Sequence, residues 1–126
     1  MRYRKADIIL ILIYDMSAQQ LPSEIFKHWI YSHQDKDPRP SVSVFRPSDY
    51  RFPPSRGRRG FEIRRNGEFI LYEIGSDDRP VKKVGEFKVE GPNKIKVFFE
   101  DKKESAFTLG IVSFEDNNNL LRVERL

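Results

Sequence analysis

From residue 28 onward, apolar and polar residues alternate with a period of two, as in a strand that buries one face. At 28–33, Trp29, Tyr31 and His33 share one face, and His28, Ile30 and Ser32 the other. Val42, Val44 and the neighbouring Phe45 form a second β-prone run between Pro40 and Pro47. Phe61–Ile74 flanks Asn66-Gly67, the dipeptide favoured in a two-residue type I′ turn. Such a turn sets Ile63 against Ile70 and Phe61 against Tyr72. It predicts an inward face of Phe61, Ile63, Ile70, Tyr72 and Ile74, and turns Phe69 and Leu71 outward. Val81–Glu90 aligns Gly85, Phe87 and Val89, and Ile95–Glu100 aligns Ile95, Val97 and Phe99, with Phe98 outward. Ala106–Phe114 aligns Phe107, Leu109 and Ile111. The chain closes on Leu120–Leu126, with Leu121 and Val123 inward and Arg122 and Glu124 outward.

Two stretches break this period. Pro22–Trp29 suits a short helix, because Pro22 fits a first turn and Ile25, Phe26 and Trp29 fall at helical spacing. Residues 47–60 hold three prolines, two glycines and four arginines, which is a loop rather than a hairpin turn. Eight short runs with brief connections leave no room for long helical crossovers. The prediction is an all-β fold: an eight-stranded antiparallel up-and-down barrel with at most a short N-terminal helix. A two-sheet sandwich is the competing architecture.

Residues 1–15 do not share the pattern. Met1–Lys5 is basic and Ile8–Tyr14 is apolar, which loosely resembles a signal peptide. Asp15 follows directly, without a clear cleavage site. Met16 opens the polar run Met16-Ser17-Ala18-Gln19-Gln20. The expected division is an extension at 1–15, arising from a start placed upstream of Met16 or from a weak signal-like segment, and one domain at 16–126.

At 126 residues the chain has the size of one domain. It has no cysteine, which excludes disulfides, thiolate metal sites and cysteine nucleophiles. No apolar run approaches the ~20 residues of a spanning helix. A cytoplasmic location is expected over secretion, and a monomer or weak homodimer as the assembly. The net charge of +4 is uneven. Residues 16–66 carry +5 and residues 67–126 carry −2, and the excess gathers in Arg51, Arg56, Arg58, Arg59, Arg64 and Arg65.

No catalytic constellation emerges. His28 and His33 point to opposite faces of one strand and do not share a metal. His33-Gln34-Asp35-Lys36-Asp37 lacks the glycine and distal glutamate of a calcium loop. Ser32 and Ser55 have no His/Asp partner at a recognisable spacing, and Glu62 and Glu73 fall beside Arg64 as surface charge pairs. No enzyme, cofactor or metal is expected. Arg56 and Arg58 carry more. Pro53-Pro54 stiffens their lead-in, and two guanidinium forks suit carbonyl capping or the grip of a carboxylate or phosphate.

Trp29-Ile30-Tyr31-Ser32-His33, Phe45-Arg46-Pro47, Phe52-Pro53-Pro54-Ser55-Arg56-Gly57-Arg58 and Gly60-Phe61-Glu62-Ile63 together resemble a group of small, functionally uncharacterised bacterial lipocalin-like, or calycin, β-barrel proteins. The resemblance covers about residues 21–126. It implies that Trp29 closes one end of the barrel under an arginine of the last strand, Arg122 or Arg125. Lys27 stands where lipocalins place a glycine. The function expected is a non-enzymatic binding module for an apolar or amphipathic, anionic small molecule, held at the mouth by Arg56 and Arg58 and received past Phe61 and Tyr72. The alternative is a filled barrel that binds nucleic acid or protein through the Arg51–Arg65 stretch, where Tyr50, Phe52 and Phe61 interleave with the arginines.

Overall fold

The computed structural model describes residues 21–126 except residue 56. The expectations for residues 1–15 and for a start at Met16 lie outside the described residues, and so does Arg56.

Eight strands close into one antiparallel barrel, as the alternation predicts. They are β1 (His28–Tyr31), β2 (Val42–Pro47), β3 (Gly60–Ile63), β4 (Glu68–Ile74), β5 (Pro80–Gly91), β6 (Lys94–Phe99), β7 (Phe107–Glu115) and β8 (Leu120–Arg125). The expected helix reduces to a single 3-10 turn at Ser23–Ile25. Among the described residues, no helix is long and apolar enough to cross a membrane.

From β3 to β8 the strands run up and down, each paired with the next. The first strand sits between β2 and β3, and β2 closes the ring against β8. Two strands that are parallel to each other therefore flank β1. The connection between them crosses outside it, from Tyr50 beneath the outward Arg46 to Gly57 against Ile74. At this seam a Cβ on Gly60 would stand 2.1 Å from the carbonyl oxygen of Trp29. Only glycine lets β1 and β3 approach this closely.

The hairpin at Asn66-Gly67 is present, but its register is one residue from the type I′ expectation. Ile63 pairs with Phe69 and Phe61 with Leu71. Gly67 has φ 93° and Asn66 is not among the residues with positive φ. The Gly67 N–H donates to the Arg64 carbonyl at 3.1 Å, and the Arg64 N–H to the Glu68 carbonyl at 3.0 Å. This is a three-residue loop that ends in a left-handed glycine. Its extra residue exchanges the faces of β4. Phe69 and Leu71 enter the core, while Ile70, Tyr72 and Ile74 take the outer face. The other inward sets hold: Phe87, Ile95, Val97, Leu109, Ile111, Leu121 and Val123 form one buried cluster with Trp29, Phe61, Ile63 and Phe69. A bulge between Ile111 and Ser113 turns Val112 out and brings Phe114 to within 6.1 Å of the Trp29 ring.

Candidate functional site: the mouth of the barrel

The two ends of the barrel differ. At one end the 3-10 turn folds under the strands. Ile25 and Trp29 are fully buried there, and the indole N–H donates to the Ile25 carbonyl at 2.9 Å. The expected cation over the indole is present but is not an arginine of the last strand. It is Lys27, whose ammonium lies 5.7 Å from the ring centroid. Arg122 points outward from β8 and bonds Glu115 and Asp37. Arg125 lies at the other end, 4.1 Å above the Phe107 ring. Parity explains both corrections: with Leu121 and Val123 inward, Arg122 must face out and Arg125 in.

At that other end the barrel holds an open cavity of about 250 Å³. Phe45, Phe61, Phe69, Leu71, Phe107, Leu109 and Val123 form its apolar wall, and Tyr31, Ser43, Arg59, Glu73 and Arg125 bring polar groups to it. Four of its rings form a continuous series: Phe45 to Phe61 at 4.8 Å, Phe61 to Phe69 at 5.6 Å and Phe69 to Phe107 at 5.9 Å. The Arg59 guanidinium lies 5.1 Å over Tyr31. Neither Arg59 nor Arg125 forms an ion pair among the described residues. Glu73 is held by Lys83 at 3.1 Å, and the same ammonium meets Glu104 at 2.7 Å. The two carboxylates raise the Lys83 pKa, Glu104 contributing most. The rim therefore sets two guanidinium groups that have no carboxylate partner among the described residues beside a carboxylate that already has a cation.

Of the sequence-derived binding residues, Phe61 lies in the cavity wall. Tyr72 borders the cavity, but its ring stacks outside on His28 at 4.5 Å and its hydroxyl donates to Glu62 at 3.4 Å. Burial and the Glu62 carboxylate push the Tyr72 hydroxyl up, and burial lowers His28. Burial also opposes the charge on Glu62, yet its bond from Arg64 and their attraction leave its pKa lowered. Arg58 is not part of the mouth. Its guanidinium stacks 4.4 Å over Phe52 and donates to the Pro53 carbonyl. The rigid lead-in thus serves the loop's own carbonyl, the structural use of this arginine.

The mouth residues missed by sequence reasoning were within reach of parity. Arg59 lies two residues before the inward Phe61, and Arg125 two after Val123. Phe69 and Leu71 were hidden by the one-residue turn error. Among the described residues, the side chains of Arg58, Arg59, Arg64 and Arg65 go to separate partners. Arg59 is at the mouth, Arg58 on the outer loop, Arg64 between Glu62 and Glu68, and Arg65 over Phe26, 4.5 Å from its ring.

Outside the barrel, the β1–β2 connector is strapped to β2 and β8. Asp35 accepts from Arg46 at 2.9 Å and from Ser32 at 2.7 Å, and Arg46 also reaches Asp116 at 2.7 Å. Asp37 accepts from Arg39 at 2.9 Å and from Arg122 at 2.6 Å. These bonds hold both carboxyls below the usual carboxylate range, Arg46 acting chiefly on Asp35 and Arg39 chiefly on Asp37. The Asp35 and Asp37 carboxylates are thus engaged by guanidinium groups. Val44, whose cross-strand partner is Arg122, is sealed at 1% exposure beneath this connector.

No protein-family model matches this chain, and no curated protein and no solved structure matches it significantly.

Proposed function

We propose that the protein is a non-enzymatic, cytoplasmic binding module that takes one amphipathic, anionic small molecule into the mouth of a lipocalin-like barrel. One observation carries the reading: an apolar cavity of about 250 Å³ whose open end holds Arg59 and Arg125 without carboxylate partners among the described residues. Small-molecule sites combine this kind of apolar wall with a few placed polar groups. The wall supplies transfer free energy, at roughly 25 cal/mol per Å² removed from water. The two forks orient a planar anion by charge-assisted bonds. The dispersal of Arg58, Arg59, Arg64 and Arg65, most of them over their own aromatic or acidic partners, favours the cavity over a nucleic-acid surface. A phosphate-tracking groove needs a continuous basic strip.

Titration with an anionic hydrophobic dye, followed by displacement with carboxylic acids, tests the proposal. Saturable binding is expected at one site per chain. The double variant Arg59→Gln/Arg125→Gln should weaken it by roughly tenfold or more, the scale of a lost charge-assisted contact, with an unchanged thermal midpoint. Absence of saturable binding by dye and acids alike would overturn it.

A further inference from the structure

We infer that the occupant of the mouth is a single-ring aromatic monocarboxylate of about the size of cinnamate, and not a long alkyl acid. The inference rests on the binding reading and adds the chemistry of the occupant's body, which three observations define.

The first is depth. The cavity of about 250 Å³ stops inside the barrel. Below it Trp29, Ile25, Ile63 and Leu121 are at most 1% exposed and fill the closed end. An apolar protein cavity of ~150 Å³ holds one benzene. By that scale this one holds roughly ten non-hydrogen atoms. A long chain would leave most of its length in water.

The second is the wall. Phe45, Phe61, Phe69 and Phe107 present both faces and edges. Phe61 and Phe69 are nearly parallel, with 13° between their planes, while Phe107 meets Phe69 at 78°. A flat ring extends such a series by offset and edge-to-face contact. A flexible chain gains only area there, and it loses rotamer freedom on entry.

The third is the charge at the rim. Arg59 and Arg125 lie over the Tyr31 and Phe107 rings and both border the cavity, and in the inferred complex their forks meet one carboxylate at its opening. Glu73 borders the same cavity. Its cation, Lys83, is shared with Glu104, so a net negative charge remains there to oppose a second anionic group, and a monoanion fits better than a dianion.

Calorimetric titration of the full chain with trans-cinnamate, cinnamamide, octanoate and palmitate tests the inference. Cinnamate should bind roughly tenfold or more tightly than octanoate and palmitate, and cinnamamide should lose a similar factor. Arg125→Gln, at an exposed position, should remove that preference for the acid over its amide. Octanoate or palmitate binding as tightly as cinnamate would overturn the aromatic occupant and leave the binding module standing. Equal affinity for cinnamate and cinnamamide would overturn the carboxylate clamp. If none of the four binds while the anionic dye still saturates one site, the inference falls and the binding reading stands; if the dye fails as well, both fall.

Discussion

The ammonium of Lys27 lies over the indole of Trp29, 5.7 Å from the ring centroid, and both belong to the chain entering β1. The closed end of the barrel is thus sealed locally, by a residue two positions from the one it covers. Removing Trp29 should cost about 3–5 kcal/mol, as large aromatic-to-alanine changes in cores do. Lys27→Ala should cost no more than ~1 kcal/mol, because an exposed cation over a ring adds little. Arg122→Gln should leave the buried-indole emission of Trp29 unchanged. A red shift on that substitution would place Arg122 at the indole after all.

The loop at Arg65-Asn66-Gly67 needs positive φ at one residue only. Gly67→Val should destabilise by about 1–3 kcal/mol, the usual strain of a β-branched residue held outside its allowed region. Asn66→Ala should cost under ~1 kcal/mol, since it loses only the acceptor that Asn66 offers the Glu68 N–H at 3.1 Å. Urea denaturation of both variants decides. Equal losses would restore the two-residue turn, in which both central residues are left-handed.

Gly60→Ala should destabilise by more than the ~1–3 kcal/mol of ordinary overpacking. Its new Cβ would meet the backbone oxygen of Trp29, which has no rotamer to yield. Hydrogen exchange should show the amides of β1 and β3 losing protection before those of β5 and β6. Uniform loss across the sheet would argue against a local seam.

The connector ion pairs make stability fall with acid in a defined window. The folded pKa values of Asp35 and Asp37 are depressed. Their stabilisation is therefore complete above the unfolded carboxylate value near ~3.9 and is lost as pH drops through the folded values below it. Asp35→Asn should be less stable than the parent at pH 7, with the gap narrowing below about pH 4. Denaturant midpoints at a series of pH values measure this. A gap that stays constant down to about pH 2 would show that the Asp35 carboxylate charge contributes nothing.

Much of this architecture was legible in the chain. Alternation marked most of the strands, Asn66-Gly67 marked the hairpin of β3 and β4, and parity correctly placed Phe87, Ile95, Leu109 and Val123. Two things were not legible. Asn66-Gly67 serves both the two-residue and the three-residue loop, and the choice is made by tertiary burial. Phe69 sits in the core, where Phe61, Phe99 and Phe107 surround it, and local sequence does not encode that gain. The position of β1 was also hidden. The pattern reads as a plain meander, and only the long 47–60 connection marks the detour between β2 and β3. At the site, the same parity that put Val123 inward also puts Arg125 at the mouth. The density of arginine at 56–59 drew attention to a loop whose Arg58 is occupied with its own backbone.

The ring closes where Val42–Phe45 meets Leu121–Glu124, near opposite ends of the described chain. A nascent chain leaving the ribosome therefore carries β2 paired on one edge only, with β1, until β8 has been made. Until then β2 and β7 each have a bare edge able to pair with a neighbouring molecule. Pairing so distant in sequence is also slow to form. Shortening the chain by its final strand would accordingly produce an open, self-associating sheet in place of a smaller barrel, and synthesis must reach β8 before the fold protects itself.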